Sequence, residues 1–98
     1  MHIISKRTLR EFWEKHSEAQ TALDEWYRRL KNSDAVTLVE LKQIFPSADL
    51  VGRCTVFNVG GNKYRLIAKI DFRRQIVYVR FVLTHSEYDR NKWKADCE

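Results

Sequence analysis

The chain has 98 residues, 44% hydrophobic and 32% charged, with three glycines, one proline and two cysteines. Its hydrophobic content is too high for disorder, its Gly and Pro content too low for a low-complexity chain, and its cysteines too few for a disulfide scaffold. No run approaches the ~20 apolar residues that span a bilayer.

The predicted elements run strand, helices, then strands. His2-Ile3-Ile4 is a short β-branched run, expected as one strand. Ser5 is placed to cap a helix reaching Lys15, with Leu9, Phe12 and Trp13 on one buried face. Ser17 with Gln20 has capping-box spacing and opens a second helix through Lys31, carrying Ala19, Ala22, Leu23, Trp26, Tyr27 and Leu30 inward. Thr37 with Glu40 repeats that signature before a short helix that Pro46 stops. After Gly52 the apolar period changes from 3.6 to 2. Arg53–Val59, Lys63–Phe72 and Ile76–Leu83 form a predicted antiparallel meander, with Gly60-Gly61 supplying the positive φ of a tight turn. Helices first and strands after predict an α+β fold, its N-terminal helices packed on one face of a small antiparallel sheet. Length and the lack of any linker predict one domain over residues 1–98.

The net charge of +5 is gathered in the last third, where residues 63–98 hold nine basic and five acidic groups. Such a field favours a polyanion, nucleic acid first among them. Alternation assigns Tyr64, Leu66, Ala68, Ile70 and Phe72 to the helix-covered face, with Val77, Val79, Phe81 and Leu83 opposite them on the next strand. The other face then carries Lys63, Arg65, Lys69, Tyr78 and Arg80, with Asp71 its one acidic residue. Cations interleaved with an aromatic suit phosphate binding and base stacking, although a merely solvated sheet face has the same composition.

Thr84 and Glu87 have capping-box spacing, which puts His85 and Tyr88 on one face of a short helix directly after the third strand. An imidazole, a phenol and nearby arginines can serve RNA cleavage. A base takes the ribose 2′-OH proton, an acid protonates the leaving oxygen and cations hold the phosphate. His85 could equally be a plain capping residue. The three histidines and two cysteines show no metal-ligand spacing. Cys54 is expected as a small buried hydrophobe in a strand and Cys97 in a frayed tail. The N-terminus lacks the apolar core of a secretory signal, so the expected compartment is the cytosol, which argues against a disulfide between them. Trp93, flanked by lysines, packs the tail or contacts a partner.

Several segments then carry a resemblance: Val56-Phe57-Asn58-Val59-Gly60-Gly61-Asn62, Tyr64-Arg65-Leu66-Ile67-Ala68 and Val82-Leu83-Thr84-His85-Ser86-Glu87-Tyr88-Asp89. With Leu41-Lys42, Phe45-Pro46-Ser47-Ala48-Asp49 and Met1-His2-Ile3-Ile4, the chain resembles the HigB toxins of bacterial toxin–antitoxin systems over nearly its whole length. The resemblance implies a RelE-like fold and a ribosome-dependent mRNA endoribonuclease, an mRNA interferase that cuts messages in the ribosomal A site and inhibits translation. It implies cleavage by 2′-OH attack without a metal or other cofactor. It also implies a HigA-type helix-turn-helix antitoxin as partner, with operator DNA reached only through the toxin–antitoxin complex, and no membrane. Carried over by position, Arg65 and Arg80 hold the scissile phosphate, and His85 and Tyr88 handle protons. Lys63, Lys69, Tyr78 and Lys92 are assigned to RNA or ribosomal RNA contact. The tail Ala95-Asp96-Cys97-Glu98 matches nothing functional. The competing reading is a non-catalytic RNA- or ribosome-binding module that uses the same basic face.

Overall fold

The computed structural model describes every residue from Met1 to Glu98. Strand β1 (His2–Ile4) leads into helix α1 (Lys6–Lys15), a 3₁₀ turn at Ser17–Ala19, then α2 (Gln20–Lys31) and α3 (Leu38–Ile44). Strands β2 (Asp49–Val51), β3 (Cys54–Val59), β4 (Tyr64–Asp71) and β5 (Ile76–Thr84) follow, then helix α4 (His85–Asp89) and a 3₁₀ segment at Lys92–Cys97. No helix is long and apolar enough to cross a membrane.

The five strands form one sheet in the order β1-β5-β4-β3-β2. The β3-β4-β5 meander is antiparallel as expected, and β2 joins it antiparallel as a short edge strand not foreseen from the sequence. Strand β1 pairs parallel with β5, Ile3 opposite Val77, so the sheet is mixed. A parallel partner needs a long crossover, and α1 to β4 provide it.

Local chemistry explains most boundaries. The Thr37 hydroxyl accepts from the Glu40 N–H at 3.2 Å, while the Glu40 carboxylate accepts from the Val36 N–H at 2.9 Å. Helix α3 ends one residue before the Phe45-Pro46 pair. Two of the expected caps are absent. Ser5 sits at φ 81 and makes no side-chain cap bond. Ser17 makes none either, because Ser17–Ala19 tighten into a 3₁₀ turn whose backbone leads into α2.

The helices cover one sheet face. Leu9, Leu23, Trp26, Leu30 and Leu41 meet Phe57, Val59, Leu66, Ala68, Val77, Val79 and Val82 in the main core. The inward set differs from strict alternation at one place. Ile67 pairs with Phe81 but Ala68 with Val79, which leaves Arg80 as an extra residue in β5. A bulge of this kind reverses the facing of everything beyond it. Val82 therefore enters the main core, while Phe81 and Leu83 turn to the far face. The expected inward placement of those two residues is overturned for that reason.

The far face is also not open. Trp93 and Cys97 pack there on Cys54, Val56 and Ile67, bordered by Phe81, Leu83 and Tyr88, as a second, smaller core. Cys54 and Cys97 are joined as a disulfide, with neither cysteine free. The pairing runs against the compartment argument, which spoke against a disulfide, and it corrects the expected frayed tail. The tail is held because Trp93 and Cys97 are its apolar residues and a half-covered sheet face lies within reach.

Gly52 makes this docking possible. It has φ +59, and a Cβ added there would lie 2.2 Å from the Cys97 carbonyl oxygen. That carbonyl accepts the Arg53 N–H. Gly52→Ala is expected to lower stability by about 1–3 kcal/mol and to raise amide exchange across residues 92–97. An unchanged denaturation midpoint with an unchanged tail would contradict this account of the glycine.

Candidate active site

The candidate residues lie on the far side of the β4–β5 hairpin and the helix that leaves it. The capping box at Thr84 builds that helix. The Thr84 hydroxyl accepts from the Glu87 N–H at 3.2 Å, and Glu87 Oε1 accepts from the Thr84 N–H at 2.9 Å. The backbone N–H of Thr84 is the main reason the Glu87 carboxyl is held below its usual range. Glu87 is thus an ionised capping group rather than a proton donor, and its cap weakens only as pH falls through that lowered value.

His85 opens the helix. Its Nδ1 lies 3.0 Å from Asp89 Oδ2, one helical turn on, with both side chains exposed to solvent. A neutral imidazole that donates from Nδ1 keeps its lone pair on Nε2, the arrangement a general base requires. Asp89 was missed at the sequence level, although the i, i+4 spacing from His85 was there to be used.

Tyr88 has a different neighbour. The Arg65 guanidinium lies 5.3 Å from the centre of its ring, and the Trp93 indole stacks on it at 5.0 Å with 14° between planes. Trp93 Nε1 also donates to the Tyr88 carbonyl at 3.0 Å. Arg65 is further fixed by Nη1, which donates to the Asn62 and Tyr64 carbonyls at 3.1 and 3.2 Å. Carbonyl contacts leave its charge unneutralised, and Nε and Nη2 remain for an anion. Arg65, Tyr88 and Trp93 form one stacked group beside His85.

Arg80 belongs to a second group. It lies three residues before Leu83, the partner of Arg65 across the strands, or about 10 Å along β5. There its Nε and Nη2 donate to Asp96 Oδ2 and Oδ1 at 2.8 and 3.0 Å, a two-pronged pair. Lys69 Nζ stands 3.6 Å from Asp96 Oδ2. The Arg80 hydrogen bonds come first, and Lys69 adds to them, in holding the Asp96 carboxyl below its usual range. The same contact raises Arg80. The expectation that Asp71 was the sole acidic residue on this face is therefore corrected. Asp96, from the tail that matched nothing functional, stands on two of its cations.

The remaining candidates are more scattered. Tyr78 pairs with Lys69 across the strands and is 37% exposed, available for stacking. Lys63 is exposed at the turn before β4. Lys92 lies with Arg90 and Glu87 on the rim of a groove of about 210 Å³ over Phe81, Leu83 and Trp93. Arg90 was not singled out from the sequence. No group of three or more His, Cys, Asp or Glu side chains is placed to hold a metal ion.

Helices on one face of a small mixed sheet, with arginines on two neighbouring strands and a His-Asp helix after them, define an α+β protein of the RelE-like kind. Residues 19–91 match the family of HigB toxins, described as the RelE-like toxic component of a toxin–antitoxin system, and the chain belongs to that family. The chain is 36% identical over 92 residues to the mRNA interferase toxin HigB of Escherichia coli strain K12, an alignment covering 91% of this chain and 88% of that protein. It is 37% identical over 93 residues to the mRNA interferase HigB of Escherichia coli O6:H1, covering 92% and 90%. The mRNA interferase HigB of Shigella flexneri matches at 36% over 92 residues.

Proposed function

We propose that this toxin is an endoribonuclease, an mRNA interferase that cuts messenger RNA on the translating ribosome, with residues 1–98 acting as one domain. The observation that carries the reading is the His85–Asp89 couple placed beside the Arg65–Tyr88 stack, inside the segment matched to the family. His85 takes the proton from the ribose 2′-OH through Nε2, with Asp89 holding the ring. The 2′-oxygen attacks the adjacent phosphorus, and the bond to the 5′-oxygen breaks. Tyr88 donates the proton that this leaving oxygen needs, so the products are a cyclic phosphate and a free 5′-hydroxyl. Arg65 holds the phosphate as its charge grows, and Arg80, about 10 Å along β5, joins it once its guanidinium leaves Asp96. No step calls for a metal or other cofactor.

Lys63, Lys69, Tyr78 and Lys92 contact RNA away from the cut. The ribosome supplies the alignment of 2′-OH and phosphate, which lets a site this exposed be effective. A HigA-type helix-turn-helix antitoxin neutralises the protein, and operator DNA is reached only through that complex. The place of action is the cytoplasm. Family membership as the toxic half of a pair supports the antitoxin, and the relatives' names support the message as substrate.

Primer extension on a reporter message in a translating extract tests the reading. Discrete new 5′ ends in frame with codons are expected for the wild type, falling at least about 100-fold with Arg65→Ala. The ends vanish when ribosomes are removed. A wild type that binds ribosomes but cuts nothing would return the protein to the non-catalytic alternative.

A further inference from the structure

The disulfide is the unexpected feature of this molecule, and its position relative to the basic face gives it a consequence. Cys97 is linked to Cys54, and the residue next to it, Asp96, is the one that pairs with Arg80 and Lys69. Gly52 leaves just enough room for the Cys97 carbonyl, and the Arg53 N–H bonds to it. Two contacts on Cys97, the disulfide and the Arg53 N–H bond, thus hold the neighbouring carboxylate on the cations of the sheet.

We propose that Cys54–Cys97 is a reversible thiol–disulfide site, and that its oxidised form latches Asp96 over Arg80 and Lys69 and so keeps RNA phosphate off them. A carboxylate one residue from a covalent crosslink stays at high effective concentration beside its partners, so a phosphate arriving from solution competes poorly. Without the crosslink the contact is an ion pair at the surface, and such pairs hold weakly on their own. Reduction therefore releases residues 94–97, while Trp93 stays anchored on Tyr88. The fold survives, because the main core contains neither cysteine.

The exchange uses a dithiol reductant. One of its thiolates attacks Cys97 Sγ, breaking the bond to Cys54 Sγ and forming a mixed disulfide. Its second thiolate then displaces Cys97. The protein gains two electrons and two protons as two thiols, and the dithiol leaves as a disulfide. Both sulfurs are buried, Cys54 at 0% and Cys97 at 1% exposure, so attack waits for a local opening that uncovers the bond. The latch then responds slowly to a reductant, on the timescale of local opening.

The nuclease role of Arg80 comes from the proposed function, so the test reads tail, RNA and cleavage separately. Oxidised and dithiol-reduced wild type, with thiols counted, are compared by amide exchange over residues 92–98. Binding of a short fluorescent single-stranded RNA and message cleavage are measured on the same samples. Reduction is expected to loosen residues 94–97 and to tighten RNA binding by about tenfold or more, as a masked site becomes competent. Oxidised Asp96→Asn is expected to bind RNA as tightly as reduced wild type. Cys97→Ser is expected to do so with or without reductant.

Equal protection of the tail in both forms overturns the latch. So does equal RNA affinity, or an oxidised Asp96→Asn as weak as oxidised wild type. If both forms cut message equally, the latch fails and the nuclease reading stands. If reduction tightens RNA binding but neither form cuts, the latch stands and the nuclease reading fails.

Discussion

His85→Ala is expected to lower the rate of message cleavage by about 10²–10⁴ while leaving RNA affinity within about twofold. The argument rests on what the imidazole touches. Its Nδ1 lies 3.0 Å from Asp89 Oδ2, so a proton on Nδ1 faces a carboxylate and Nε2 is the nitrogen left for a 2′-OH. His85 is exposed and packs against neither core, so its removal opens no cavity and breaks no strand contact. The cap of α4 belongs to Thr84 and Glu87 and survives the substitution. Single-turnover cleavage beside RNA affinity separates the roles. If binding falls as much as cleavage, His85 is a contact residue and the base lies elsewhere. Asp89→Asn gives a graded companion, since it keeps the helix and weakens only the hold on the ring.

Phe57→Ala is expected to cost about 3–5 kcal/mol, the usual range for removing a fully buried aromatic ring. Phe57 is 1% exposed in the middle of β3. Its ring meets Trp26 of α2 edge-on at 5.4 Å and Phe45, just after α3, edge-on at 5.2 Å. It therefore joins two helices to the sheet, and its loss leaves a void that three separate elements would have to close. Against a total of about 5–15 kcal/mol for a domain of this size, that is a large share. Urea denaturation should show a much lower midpoint with a similar slope. A loss below about 1 kcal/mol would mean that the helices re-pack and that Phe57 does not join them to the sheet.

The parts of this molecule that were legible in the sequence are those written in local chemistry. The change of apolar period after Gly52, the Gly60-Gly61 turn and the Thr37 and Thr84 caps each state a backbone geometry within a few residues, and the meander, α3 and α4 follow. The bulge at Arg80 was not legible. Phe81, Val82 and Leu83 are all apolar, so alternation loses its phase just where the strand slips. Strand β2 has only three residues, too few to show a period. The pairing of Arg80 with Asp96 spans 16 positions, and the disulfide spans 43. Contacts that distant are settled by the packing of Trp93 on the sheet, not by any nearby pattern. The cytosol argument against the disulfide gave the wrong pairing state for the same reason. Compartment is a statistical guide, whereas Cys54 and the docked tail are a matter of position.

The parallel pairing of β1 with β5 also orders the making of the protein. Ile3 leaves the ribosome early, yet its partner Val77 must be synthesised before that edge of the sheet can close. Until then α1 and α2 have no sheet to cover, and Leu23, Trp26 and Leu30 wait for the strands that bury them. Long-range pairings of this kind form late in folding. Arg65, Arg80, His85 and Tyr88 all lie in that later stretch, so a nascent chain carries the helices for most of its synthesis before the proposed site is complete.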